Sequence, residues 1–155
     1  MFRLYSKGCE YTIRALAMAQ DGKEKMGLSF SAKDICERAG LPEWYTRKVF
    51  QNLVREGILK AHRGPGGGYV FSGDPQKISI LAMIKAIDGK DALEGCVMGP
   101  GRCKDRRPCP LHKKWKNIKE KLVAELKSIS VRDLIGSMSR HEKESTNSNE
   151  EVSKK

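Results

Sequence analysis

Apolar positions first mark a helix over residues 10–20, where Ile13, Leu16, Ala17 and Ala19 fall on one side. A polar stretch containing Gly22 and Gly27 follows. Ser31 then reads as an N-cap, with Asp34 three places on in a capping-box-like arrangement. Ala32, Ile35, Cys36 and Ala39 keep helical spacing and Gly40 ends the run, so residues 32–39 predict a short second helix. Pro42 suits the first position of a third helix, running from Glu43 to Glu56 and stopped by Gly57. Tyr45, Val49, Phe50, Leu53 and Val54 spread over one face of it; Trp44, Arg47, Lys48, Gln51 and Arg55 lie on the other.

Period-two signals come next. Residues 58–63 and 69–71 predict two strands, and Gly64-Pro65-Gly66-Gly67-Gly68 between them can only be a turn. Ser79 caps a helix over 80–88 that carries Ile80, Leu81, Ile84 and Ile87 and ends at Gly89. A loop over 90–110 leads to a long helix over 111–129. Its Trp115, Ile118, Leu122 and Leu126 form a stripe too narrow for a buried helix, a seam for a partner helix. Leu134, Ile135 and Met138 close the apolar pattern.

A short helix, a tight glycine turn, a longer helix with a basic outer face and a glycine-rich hairpin form a winged helix-turn-helix. The expected fold is therefore mostly α with a small β-hairpin wing. Residues 1–75 form the winged helix-turn-helix, residues 76–138 hold dimerisation helices and a cysteine loop at 96–112, and residues 139–155 form a disordered polar tail. Trp44, Arg47, Lys48 and Gln51 on the third helix, and Arg63, Gly66, Gly67 and Tyr69 on the wing, are the candidate DNA contacts. Glycines without a Cβ let the wing backbone lie against a phosphate.

Composition sharpens this picture. The 155 residues are 39% hydrophobic, enough for a core without disulfide staples. Arg3, Lys7, Glu10 and Arg14 interrupt any leader-like apolar stretch, and no run is long enough to span a membrane. A reducing, cytoplasmic compartment with no membrane partner is expected, which agrees with an odd count of five cysteines. The net charge is +11, while the tail balances four basic residues against four acidic ones. The whole excess thus belongs to residues 1–138, and a polyanion, first of all nucleic acid, is the expected partner. A merely soluble basic surface is the plainer alternative. No Ser-His-Asp set or paired-carboxylate site appears. The glycine run lacks the Lys-Ser or Lys-Thr and the helix of a nucleotide loop. Neither enzymatic chemistry nor a small-molecule substrate is expected.

Three cysteines fall within fourteen residues, as Cys96-x6-Cys103-x5-Cys109-x2-His112. Proline and glycine break the backbone between them, as wrapping several ligands round one centre requires. The gaps are too wide for a zinc knuckle and suit an iron–sulfur cluster. From Arg102 to Lys121 the net charge is +7, which favours thiolates and offsets an anionic cluster. Structural or redox-active free thiols are the competing reading. Cys36, on an apolar helix face, reads as a small core residue, and Cys9 stands isolated. His62 lies on a wing strand among basic residues, solvated or facing a phosphate.

Ser6-Lys7-Gly8, Tyr11 to Leu16, the wing Arg63-Gly64-Pro65-Gly66-Gly67-Gly68-Tyr69, and the cysteines ending in Cys109-Pro110-Leu111-His112 together resemble the Rrf2 family of winged-helix transcription regulators, in its IscR- and NsrR-like cluster-binding branches. The resemblance covers about residues 1–135. It implies a homodimer joined through the long helix, binding a double-stranded operator through the third helix and wing. It implies an iron–sulfur cluster, [2Fe-2S] or [4Fe-4S], on Cys96, Cys103 and Cys109. The fourth ligand in one branch matches His112; in another it is an acidic residue of the first helix, matching Glu10 of the partner subunit. The expected function is thus a transcription regulator, a repressor, whose operator affinity follows redox, iron or nitric oxide status. The alternative is a metal-stabilised or thiol-reactive basic protein, a scaffold or RNA binder.

Overall fold

The structure, a computed structural model, describes residues 4–19, 29–102, 108–135 and 137. Cys103, Met138 and the tail at 139–155 lie outside the described residues.

The first helix, α1 (Lys7–Met18), starts three residues before the expected position. Its first turn buries only Gly8 and Cys9, too small to register as periodicity, and Ser6 sets the start by accepting the Cys9 N–H at its side chain, 3.1 Å away. A two-residue strand, β1 (Ser29–Phe30), follows. The helix α2 (Ala32–Ala39) has the expected Ser31 cap, and Gly40 at φ 62° terminates it in the left-handed conformation. The next helix, α3 (Glu43–Arg55), buries Thr46, Val49, Phe50 and Leu53.

The wing is β2 (Leu59–His62) and β3 (Gly68–Phe71), antiparallel, with Lys60 opposite Val70 and His62 opposite Gly68. It is not a free hairpin. β1 pairs with the other edge of β3, Phe30 opposite Tyr69, which makes a three-stranded sheet in the order β1-β3-β2. That pairing explains Gly68: a Cβ there would stand 2.5 Å from the Phe30 carbonyl oxygen.

A single 3-10 turn at Pro75–Lys77 leads into α4 (Ile80–Asp88), capped by Ser79. Residues expected as plain loop contain a small hairpin, β4 (Gly95–Cys96) with β5 (Gly99–Arg102). The long helix is α5 (His112–Ser128), one residue shorter at each end than the pattern suggested. A short α6 (Val131–Leu134) closes the described chain behind a Ser130–Asp133 capping box, whose bonds hold the Asp133 carboxyl below its usual range.

One apolar cluster ties these pieces together. Leu16, Phe50, Leu53, Leu59 and Tyr69 share it with Ile80, Met83, Ile84, Val131 and Ile135. Thus α4 and α6, though distant in sequence from the helix-turn-helix, pack on the same core. By contrast, α5 has no buried residue over its 17 positions.

Candidate nucleic-acid interface and cysteine segment

The outward face of α3 is set by helical spacing: Trp44, Arg47, Lys48 and Gln51 stand at i, i+3, i+4 and i+7, and all four are exposed. Burial of Val49, Phe50 and Leu53 on the opposite side fixes that orientation. Arg47 is braced along the helix by Glu43, its Nε donating to Oε1 at 2.6 Å. This bond holds the guanidinium even more firmly protonated than usual. The brace follows an i,i+4 acid–base spacing that was readable in the sequence but not singled out there.

Arg47 lies at one wall of a cleft of about 390 Å³. The other walls come from the start of α2, through Ser31 and Ala32, and from the wing, through His62, Arg63 and the glycine turn. Gly66 takes φ 73° and Gly64 φ 98°, so the turn depends on left-handed glycines. Gly67 is tight for another reason, since a Cβ would meet the His62 carbonyl oxygen at 2.7 Å. Tyr69 differs from the other candidates. It is only 7% exposed and its ring packs edge-on against Phe50 at 5.2 Å and stacks near Phe30 at 6.1 Å. It floors the cleft from within the core, because β3 turns that position towards α3. Two guanidiniums, the positive end of α2 and close-approach backbone suit an anionic sugar–phosphate chain.

The cysteines divide by environment. Cys9 and Cys36 are core residues. Burial, then the nearby Asp88 carboxylate, pushes the Cys9 thiol up to about 12, and burial pushes Cys36 up as well. Neither is a ready thiolate. Cys96, in β4, and Cys109, just before α5, are partly exposed free thiols. Cys96 Sγ accepts the Met98 N–H at 3.4 Å. The Cys109 carbonyl accepts the His112 N–H at 3.0 Å, closing the turn that leads into α5. Trp115, one turn further on, donates its indole N–H to the Gly95 carbonyl at 3.1 Å, pinning β4 to α5. Lys119–Glu94, at 3.6 Å, repeats that link. Glu10 lies on α1, paired with Lys7 at 2.8 Å. Among the described residues no three His, Cys, Asp or Glu side chains group to hold a metal ion, and Cys103 lies outside them. Thiols and an imidazole are donors of the right chemistry for an iron–sulfur cluster.

A further contact had no sequence signal. Asp88, the last residue of α4, accepts the Ser6 N–H at 2.7 Å and the Ser6 hydroxyl in a short bond. The end of α4, where the cysteine segment begins, is thereby fastened to the start of α1.

Residues 5–137 match the profile of the Rrf2 family, described as "Iron-dependent Transcriptional regulator". The HTH-type transcriptional regulator IscR of Klebsiella pneumoniae strain 342 is 31% identical over 133 residues, spanning 86% of this chain and 79% of that protein. IscR of Escherichia coli O1:K1 / APEC is 30% identical, over 86% and 80%. Among solved structures, CymR (YrzC), the global cysteine regulator of B. subtilis, superposes with TM-score 0.65 at 24% identity, covering 89% of this chain and 98% of that one. T. potens IscR superposes with TM-score 0.59 at 25% identity, over 83% of each chain.

Proposed function

The chain belongs to the Rrf2 family of transcriptional regulators, and from that premise we propose that it is a homodimeric operator-binding repressor whose DNA affinity is set by an iron–sulfur cluster. The observation that carries the DNA part is the junction of α3 and wing, where Arg47, Arg63 and the glycine turn enclose one anion-suited cleft. Across a dimer, two α3 helices would enter successive major grooves roughly 34 Å apart, with Arg47, Lys48 and Gln51 at base edges or phosphates. Arg63, Gly66 and Gly67 of each wing would follow the adjacent backbone, and Trp44 would stand at the entry of the helix. Tyr69 serves the same surface indirectly, by holding β3 against Phe50.

Cys96, Cys103 and Cys109 with His112 would hold the cluster, which supplies a redox- and nitric-oxide-reactive centre when bound. His112 is favoured as fourth ligand over Glu10 because a single hydrogen-bonded turn joins it to Cys109, so little chain entropy is lost in recruiting it. The relatives' name and the family's iron-dependent description support this reading.

The test is anaerobic purification with iron and sulfide counts, an absorption spectrum, and titration of a selected operator with loaded and chelator-stripped protein. Stoichiometric iron and sulfide with visible absorbance at about 400 nm, and unequal operator affinities, are expected. Operator binding without iron would leave a thiol-reactive regulator working through the part-exposed Cys96 and Cys109. His112→Ala and Glu10→Ala decide the ligand: loss of the spectrum only in the second would transfer the role to Glu10.

A further inference from the structure

Trp44 is the most exposed large apolar side chain among the described residues, 73% accessible in the first turn of α3. An exposed indole on a monomer surface costs hydrophobic free energy unless something covers it. It is also held in place. Its ring meets Tyr45 edge-on at 5.5 Å, and Tyr45 meets Tyr11 of α1 edge-on at 5.6 Å. This three-ring ladder runs from α1 to the tip of the recognition helix and restricts the rotamers that the indole can take.

The surroundings identify what covers it. Arg47 and Lys48 stand one turn further along the same face, and Gln51 two turns along. With Arg47 paired to Glu43, Lys48 leaves this rim net positive, which repels basic surfaces and attracts a polyanion. In a helix-turn-helix, the N-terminal residues of the second helix are those that meet base edges, which here is the first turn of α3. The major-groove edge of DNA offers one apolar group, the 5-methyl of thymine. A flat indole braced by neighbouring rings can cover that methyl without a hydrogen-bond partner of its own.

We infer that Trp44 is a specificity-determining contact for DNA, its indole covering the 5-methyl group of one thymine in each operator half-site. This rests on the operator-binding reading and adds to it the chemical feature that is read. The methyl contact selects thymine over cytosine and over uracil, while Arg47 and Lys48 supply the charge that anchors the helix.

The test starts from the full chain selecting duplexes from a randomised pool. In the selected operator each thymine is then replaced singly by deoxyuridine, which removes only the methyl group. For the unsubstituted protein, one replacement per half-site should weaken binding about three- to fivefold, the share that burial of one methyl supplies. Trp44→Ala should bind thymine and deoxyuridine operators equally, and Trp44→Phe should keep part of the preference. Indifference of the unsubstituted protein to every replacement overturns the inference. So does a Trp44→Ala protein that remains as sensitive as the parent. Failure to enrich any duplex overturns the operator-binding reading itself, which separates the two failures. Unchanged melting of both variants shows that lost discrimination reflects the contact, since Trp44 is outside the core.

Discussion

At the scale of single residues, backbone proximity and burial make the sharpest predictions. Gly68 is held by the β1–β3 pairing, so Gly68→Ala must push the Phe30 carbonyl away from 2.5 Å. A cost of about 1–3 kcal/mol is expected, as for other overpacked sites. Gly73→Ala is the control, since nothing lies within 4 Å of its Cβ position. Equal thermal melting of the two variants would contradict the strand pairing. Cys9 gives the second prediction. Its folded-state thiol titrates at about 12 against an ordinary value of 9.0. The sign follows from linkage: below pH 9.0 the thiol is neutral in both folded and unfolded chains and burial costs nothing extra. Above it the unfolded chain ionises first. Stability therefore drains away between about pH 9 and 12, with a slope of at most about 1.4 kcal/mol per pH unit from this one thiol. Cys9→Ala should show a shallower alkaline loss in urea titrations at pH 8, 9 and 10. Native Cys9 should also resist alkylation at pH 8 under conditions that label Cys96 and Cys109. An unchanged alkaline slope would mean that Cys9 is not the group responsible.

At the scale of elements, α5 carries the clearest expectation. A 17-residue helix with no fully buried position has an apolar stripe that this chain covers only in part: Leu126 packs against the core, whereas Ile118 is 57% exposed in the middle of the stripe. Pairing with the same helix of a second copy would cover Ile118 and Leu122 and complete the two-fold arrangement an operator needs. Ile118→Glu should convert the dimer to monomer by light scattering, lower operator affinity by tenfold or more, and leave the melting of the monomer fold nearly unchanged. A dimer that survives would place the seam elsewhere. Elements were legible where their signals are local. Ser31 with Gly40 and Ser79 with Gly89 bracket α2 and α4 as expected, because a cap and a stop act within a few residues. What escaped is non-local or lacks period. The two residues of β1 mean nothing until β3 pairs with them, and Gly99–Arg102 shows no alternation. The inward turn of Tyr69 escaped for the same reason, since only the position of Phe50 decides which face of β3 is the core. The candidate contacts on α3 were readable because they share one helical face, whereas the Ser31 and Ala32 wall of the cleft depends on how α2 meets the wing.

At the scale of the whole molecule, the issue is how the cysteine segment can bias a DNA surface built from other elements. Cys96 and Cys109 lie beyond α4, whereas α3 and the wing precede it. One connection between them passes through α1, beside the direct packing of α4 on α3 in the core. Asp88 closes α4 and holds the Ser6 N–H and hydroxyl; Ser6 caps α1; and Gly8, in its first turn, lets α1 approach α3 so closely that an added Cβ would stand 3.0 Å from Val49 Cγ2 and 3.5 Å from the Tyr45 hydroxyl. Tyr45 in turn braces Trp44. A rearrangement of the residues after Asp88 can therefore reach α3 through one carboxylate and one closely packed helix pair. Under the proposed reading, loaded and stripped protein should differ in operator affinity by roughly 5–150-fold, the usual range of such coupling. Asp88→Asn, which keeps the shape but weakens the charged bonds to Ser6, should reduce that ratio several-fold without abolishing cluster loading. Ser6→Ala, which removes the hydroxyl bond and the α1 cap but keeps the backbone N–H bond to Asp88, should also lower it, and the double variant should fall short of the sum, because the two share the hydroxyl–carboxylate bond. The measurement is operator titration of each variant in both states, with iron content determined in parallel. A ratio unaffected by either substitution would mean that the cysteine segment does not act through α1, which leaves the direct packing of α4 on α3 or, across a dimer, Trp115 and α5.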